Sequence, residues 1–404
     1  MNNNLWKKRT ILFFISQCIT LFGSQIVQMA IVWYVTLQTG SGAWVAACSV
    51  CSYLPQFFVS FFGGILADRR NRKFLIIGAD ALIAAVTLGM LLILPQISSE
   101  PVLLTSLLIL SVLRSAGAGI QTPAVNAVLP QLVPEEHLMR WNGINAAMQS
   151  VVQFAAPAAA AVMLSENTLH TVLAIDLLTA GLGIGLFAFL RLPKPVKIPA
   201  ARSVWADMGT GIRYASSHAA IRNLLTIYGL FVFFTVPAGY LSGLLVSHVY
   251  GNTYWYLTAV EIAGFGGMMA GGLLMSLWSG FKHHRHTLAA GLTFFGSMAV
   301  GMGICRSFAL YLILMVLYGI ALTAVQTTLT TMLQETAESS MHGRMFGLMS
   351  SLYSGSYPLG MAIFGPLADR ISLVSMMILS GILLIITAGW VFFWRNYELS
   401  SENN

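Results

Sequence analysis

Asp80, Arg114, Asp176 and Glu261 stand where an apolar chain accommodates charge least. Each lies inside a long run of apolar residues, well away from the polar stretches that separate such runs. A carboxyl in these surroundings feels two opposing effects. Desolvation favours its neutral form, and a nearby cation favours its charged form. A carboxyl that alternates between the two environments loads and releases a proton, so the chemistry open to this set is proton coupling. An arginine at a bilayer centre costs about 2.5–3.5 kcal/mol on insertion scales. Arg114 therefore requires a polar cavity or a carboxylate partner. For Asp80 and Asp176 the competing explanation is a buried hydrogen bond that fixes helix contacts.

The elements that carry these residues are membrane helices. Of the 404 residues, 57% are hydrophobic and 9% charged, and the mean hydropathy is +0.76. Soluble domains carry about 25% charged residues, so composition alone excludes that class. Apolar runs long enough for a hydrocarbon core of about 30 Å recur along the chain. Outer-membrane barrel strands would instead show alternating segments of about ten residues. Roughly twelve spans are predicted, near 11–37, 43–67, 74–95, 101–130, 142–164, 168–192, 221–250, 254–279, 286–305, 307–332, 343–368 and 372–395. The first run is too long for a signal-peptide core and reads as a retained helix.

Basic residues orient the spans. With the N-terminus inside, Arg306 and Arg370 alone fall on the outer side, and Arg114 stays in the membrane. The other lysines and arginines fall inside, as the positive-inside rule requires of cytoplasmic loops. Both termini are then expected on the cytoplasmic side. The net charge of +7 reflects this topology and contact with anionic lipid, and gives no reason to expect nucleic acid. The stretch from Arg191 to His218, rich in Pro, Lys and Arg, divides the chain. The expected organisation is an N-terminal six-helix bundle over 1–192, a cytoplasmic linker over 193–218, a C-terminal six-helix bundle over 219–395 and a tail over 396–404. Val204, Met208 and Ile212 share one face of a short helix, which suits either a membrane-surface segment or a solvated linker. Gln121-Thr122 matches Gln326-Thr327, and Arg140-x-x-Gly143 matches Arg344-x-x-Gly347, at a nearly constant offset. These matches suggest a duplication of the kind found in alternating-access transporters, with the site between repeats.

The inner loop "GGILADRRNRKFLI", Gly63 to Ile76, resembles the signature of the major facilitator superfamily, G-x-L-A-D-R-x-G-R-K. Gly64, Leu66, Ala67, Asp68, Arg69, Arg72 and Lys73 match it, and Asn71 replaces the second glycine. Asn also tolerates the left-handed backbone. Gly64 would allow a neighbouring helix to approach closely, and Asp68 would meet a helix N-terminus or an arginine, forming a gate that breaks in another conformation. The second-half loop keeps Gly272 and Leu274 but carries Ser276 where the acid would be. An echo, "GPLADRI" from Gly365, falls on the outer side and reads as a local turn.

Further stretches resemble the macrolide-efflux type within that superfamily: "LRSAGAGIQTPAVNAVLPQLVPEEHLMRWNG" (Leu113 to Gly143), "IIGADALIAA" (Ile76 to Ala85), "AIDLLTA" (Ala174 to Ala180) and "AVEIAGFGGMMAGG" (Ala259 to Gly272). The resemblance implies an all-α fold of twelve transmembrane helices in two six-helix bundles with pseudo-two-fold symmetry. It also implies proton antiport of hydrophobic drugs, and pairing in function with a ribosome-protecting ATPase. Within that fold, span eight borders the central cavity, which makes Glu261 the first choice of proton carrier, ahead of Asp176 and Asp80. Span four lines the cavity too, which brings Arg114 and Gln121 there. A Gly-Pro-x-x-Gly-Gly motif common in span five of related antiporters reads Ala156-Pro157-Ala158-Ala159-Ala160-Ala161 here.

Polar stripes add further cavity candidates. Gln28 follows Gln17 and Ser24 on span one, and Gln149 lies between Asn145 and Gln153 on span five at helical spacing. Interhelical hydrogen bonding explains such stripes equally well. Tyr228, Tyr353 and Tyr357 can stack on a lipophilic substrate. His283, His284 and His286 read as inner-loop basicity, and no metal site or cofactor is expected. There is no H-E-x-x-H and no G-x-x-x-x-G-K-[ST], so neither a metalloprotease nor a primary pump is expected. The resulting expectation is a monomeric transporter of small hydrophobic substrates. Export of a siderophore or another endogenous amphipath is the alternative, and a non-transporting receptor is third.

Overall fold

A computed structural model describes residues 5–134, 137–166, 169–190, 192, 204–278, 280–338 and 341–393. The chain forms α1 (Leu5–Thr39), α2 (Gly42–Arg69), α3 (Arg72–Ile93), α4 (Glu100–Leu132), α5 (Leu138–Glu166), α6 (Leu169–Phe189) and α7 (Val204–Ser217). It continues as α8 (Ala219–Gly239), α9 (Ser242–Val249), α10 (Tyr254–Trp278), α11 (His284–Ile304), α12 (Phe308–Thr336), α13 (His342–Ala368) and α14 (Leu373–Phe393). No strand occurs among the described residues. In hydrocarbon every backbone N–H and C=O must be satisfied within the protein, and a helix does this inside a single segment.

Among the described residues, ten segments are long and apolar enough to cross a membrane, with α8 and α9 forming one interrupted span, Ala219–Val249. Two more helices have the length: α5, of 29 residues, with an apolar stretch over Met148–Leu164, and α13, of 27 residues, which is more polar. Ser350, Ser351, Ser354 and Ser356 dilute α13. With these two, the twelve spans expected from the sequence are present.

The chain divides into two compact units, Met1–Gln38 with Ala47–Pro199, and Thr39–Ala46 with Ala200–Asn404. In the first unit α3 packs on both α4 and α6. One cluster gathers Trp6, Phe13, Phe14, Ile76, Val128 and Phe187. In the second unit α10 packs on α12, α11 packs on α12 and α14, and α8 packs on α13. Phe231, Phe295 and Tyr318 join α8, α11 and α12 through ring contacts with centroids 5.0 and 4.2 Å apart. Between helices in lipid the apolar effect is small, so such close packing supplies most of the association energy.

Of the linker, 193–203 lies outside the described residues, as does the tail 396–404. The remainder forms α7, which packs on α8 and α13. The Glu338 backbone N–H donates to the Tyr214 hydroxyl at 3.2 Å, and Gly211 rests against Arg344 and Leu348.

Candidate functional site

Arg114 meets a carboxylate inside the first unit. Its Nη1 donates to Asp176 Oδ2 on α6 and to Thr87 Oγ1 on α3, and its Nη2 lies 3.4 Å from Asp176 Oδ1. The Thr87 hydroxyl also lies 3.2 Å from Asp176 Oδ2 and donates to the Ile83 carbonyl at 2.9 Å. Arg114 is 8% exposed, Asp176 2% and Thr87 0%. The charges cancel where neither could stand alone, so three helices are tied at one point.

A second polar rung lies two turns away. Gln121 Nε2 donates to Asp80 Oδ1 at 2.8 Å, and Asp80 is buried. Arg114 and Gln121 are seven residues apart on α4, and Asp80 and Thr87 are seven apart on α3. The helices run antiparallel, so the steps pair in opposite order. The candidate set of the first unit therefore separates into an ion pair and a carboxyl held by an amide.

Glu261, on α10 of the second unit, is partly buried. Among the described residues it makes no hydrogen bond and no ion pair, unlike Asp176. Tyr228 and Tyr357 are buried and Tyr353 is 37% exposed. Sequence reasoning missed Tyr240, which joins them at the interruption between α8 and α9. Its hydroxyl lies 2.8 Å from that of Tyr353, and its ring centroid lies 4.1 Å from that of Tyr357. Pro237 and Gly239, just before the interruption, were the available signal. Gln28 Nε2 donates to Ser52 Oγ at 2.8 Å, joining α1 to α2. Gln149 is exposed on α5. His284 Nε2 lies 3.2 Å from Glu335 Oε1.

The loop after α2 is built on helix ends. Asn71 caps α3 from an extended conformation, φ −67° and ψ 112°, its side chain accepting from the Lys73 N–H. Its role is thus N-capping and makes no use of the left-handed region. Arg72 Nε donates to the Ala67 carbonyl at 3.0 Å and its Nη1 to the Ala127 carbonyl at 2.7 Å. Lys73 Nζ donates to the Ala188 and Leu190 carbonyls at 2.5 and 2.9 Å. Two cations thereby serve carbonyls near the C-terminal ends of α2, α4 and α6, where free acceptors and the helix dipole favour positive charge. The surroundings of Gly64 and the side chains of Asp68 and Arg69 lie outside the described set.

The echo from Gly365 does more than turn the chain. Asp369, in the second unit, reaches the start of α2, whose first residues belong to that same unit. Its carboxylate accepts from Ser41 Oγ at 2.8 Å, the Gly42 N–H at 2.6 Å and the Ala43 N–H at 3.0 Å. This is an N-cap supplied from a residue 327 positions away, next to a backbone contact between Gly42 and Gly365.

Taken together, these features define a multi-pass helical membrane protein with buried ionisable side chains. Residues 13–361 match the Major Facilitator Superfamily, and the chain belongs to that family of transporters. It is 30% identical over 389 residues, 95% of each chain, to Macrolide efflux protein A of Streptococcus pyogenes. It is 24% identical over 364 residues, 87% of this chain and 85% of the other, to the multidrug efflux pump Tap of Mycobacterium tuberculosis. Among solved structures, a nucleoside transporter superposes with a TM-score of 0.71 at 13% identity, covering 96% of this chain and 99% of that one. A bacterial homolog of the lysosomal transporter Spinster gives 0.69 at 14% identity, covering 100% and 98%. At that identity the likeness concerns the fold alone.

Proposed function

We propose that this chain is a secondary active exporter of hydrophobic drugs, macrolide antibiotics in particular, that exchanges its cargo for protons by alternating access. The end-to-end likeness to macrolide efflux proteins supports the cargo class. The observation that carries the proton step is the contrast between Asp176, locked to Arg114, and Glu261, which no partner among the described residues ties down. An untied carboxyl is free to change its protonation with its surroundings.

In this reading Glu261 is the principal carrier and Asp80, held by Gln121, the second. Arg114 and Asp176 keep α3, α4 and α6 in register around Asp80. Tyr228, Tyr240, Tyr353 and Tyr357 contact the lipophilic cargo, with Gln28, Gln121 and Gln149 as its polar contacts. Tyrosine rings give broad apolar contact while their hydroxyls orient polar groups, which suits a polyspecific exporter. The inner loop around Asp68, Arg69, Arg72 and Lys73 acts as the gate, with Gly64 giving close helix approach. The protein works as a monomer in a prokaryotic cytoplasmic membrane, both termini inside, alongside a ribosome-protecting ATPase.

The test is accumulation of a radiolabelled macrolide in cells with and without the protein, repeated after the proton gradient is collapsed. Accumulation should be lower with the protein and should recover on collapse. Equal accumulation in both strains would refute drug export, and export that survives collapse would refute antiport.

A further inference from the structure

The α10–α12 seam sets the level of Glu261. On α10, Gly264, Gly267 and Gly271 are all buried and recur at the three- and four-residue spacing of one helix face. A Cβ on Gly264 would lie 3.0 Å from Met315 Cε, and one on Gly271 would lie 2.9 Å from Ile320 Cα. A Cβ on Gly267 would run into the Val316 carbonyl, and Gly319 answers from α12 by packing on Gly264 and Met268. The contacts advance together on both helices, so α10 and α12 run parallel with their backbones in contact. One turn before Gly264 is Glu261. One turn before Met315 is Tyr311.

Tyr311 is 0% exposed, and its hydroxyl is buried without a hydrogen-bond partner among the described residues. A buried phenol left in that condition is costly, and native structures provide an acceptor for it. Its ring meets Tyr250 at 5.6 Å, but the Tyr250 hydroxyl donates instead to the Cys305 carbonyl at 2.7 Å. Tyr250, Cys305 and Glu261 all lie within electrostatic reach of Tyr311. The other titratable or charged groups on the elements packed against α10 are His248 and Tyr250 at the end of α9, Cys305 and Arg306 before α12, and Tyr318 and Glu335 along α12. Tyr311 is the group that the glycine seam brings level with Glu261.

We propose that Tyr311 is the positioning residue for proton exchange at Glu261. Its O–H donates to the ionised carboxylate and lets go when the carboxyl takes its proton. Closing the bond needs a rotamer change of Glu261, whose side chain is partly exposed. The proton that binds comes from solvent, and the phenol keeps its own throughout. This inference rests on the proton-antiport reading but is tested separately from it.

The experiment follows the carboxylic C=O infrared band of Glu261, assigned by its loss in Glu261→Gln, across a pH titration of the full chain in lipid vesicles. Tyr311→Phe removes the donor to the charged form while keeping the ring. The band midpoint should move to higher pH by roughly one unit, a tenfold change in the protonation equilibrium. Site-specific 3-fluorotyrosine at position 311, a stronger donor of the same shape, should move it the other way and gives a second measure should the Phe variant fold poorly. Midpoints that stay at the wild-type value in both would overturn the pairing, whatever the transport result. Shifted midpoints together with drug efflux indifferent to the proton gradient would leave the pairing intact and remove the antiport reading.

Discussion

The Arg114–Asp176 pair gives a prediction whose size follows from its burial. Asp176→Asn removes the charge that neutralises Arg114 and leaves the guanidinium 8% exposed, with Thr87 Oγ1 as its remaining described acceptor. Breaking a buried pair from one side costs roughly 3–5 kcal/mol, because the surviving charge stays desolvated. Replacing both partners by apolar residues of similar volume, Arg114→Met with Asp176→Leu, leaves no charge behind and is expected to be near neutral. Arg114→Met alone should fall between them, since the stranded carboxyl can take a proton and escape its charge. A cooperative unit of about 150–250 residues loses about 2–4 °C of melting temperature per kcal/mol. Asp176→Asn should therefore lower the melting temperature of the detergent-solubilised protein by roughly 6–20 °C. The double variant should recover most of that loss. A double variant as unstable as the worse single one would refute the reasoning, because the cost would then lie in packing volume rather than in an unpaired charge.

Three further outcomes are expected. Asp369→Ala removes the cap from the start of α2 and should cost about 0.5–2 kcal/mol, read as a lower melting temperature that Asp369→Asn partly restores. Gly267→Val puts a branched side chain where the Val316 carbonyl sits; overpacking of this kind costs about 1–3 kcal/mol, whereas Gly272→Ala, with nothing within 4 Å of its Cβ, should be silent in the same melt. Glu261→Gln should abolish the gradient-dependent part of macrolide efflux in whole cells at unchanged expression, and a variant that still pumps at full rate would remove Glu261 as the carrier.

How much could be read from the residues varies by element. The acids and the arginine within the spans were legible because charge in an apolar run is conspicuous and needs a reason. Their pairing was not. Arg114 had three acids to choose from, and the choice of Asp176 depends on how α4 and α6 are rotated about α3. The polar stripe on α5 matched helical spacing, yet Gln149 and Gln153 are exposed in the structure, since spacing identifies a face without naming its neighbour. Asn71 read as a tolerated substitute for glycine and is instead the cap of α3, a role its residue type allows equally well. Tyr240 was marked only by Pro237 and Gly239 before it, and Tyr311 carried no signal that set it apart from other tyrosines.

The sequence by itself determined that this protein is a bundle of membrane helices and roughly where each begins and ends. Helix formation in an apolar segment satisfies the backbone locally, so hydropathy and the distribution of Lys and Arg suffice. Tertiary structure alone decided which polar groups meet: Arg114 with Asp176 across 62 positions, Asp369 with the start of α2 across 327, and Tyr311 level with Glu261. Such meetings are set by helix rotation and register, which arise from small residues packing against a neighbour that no single span encodes.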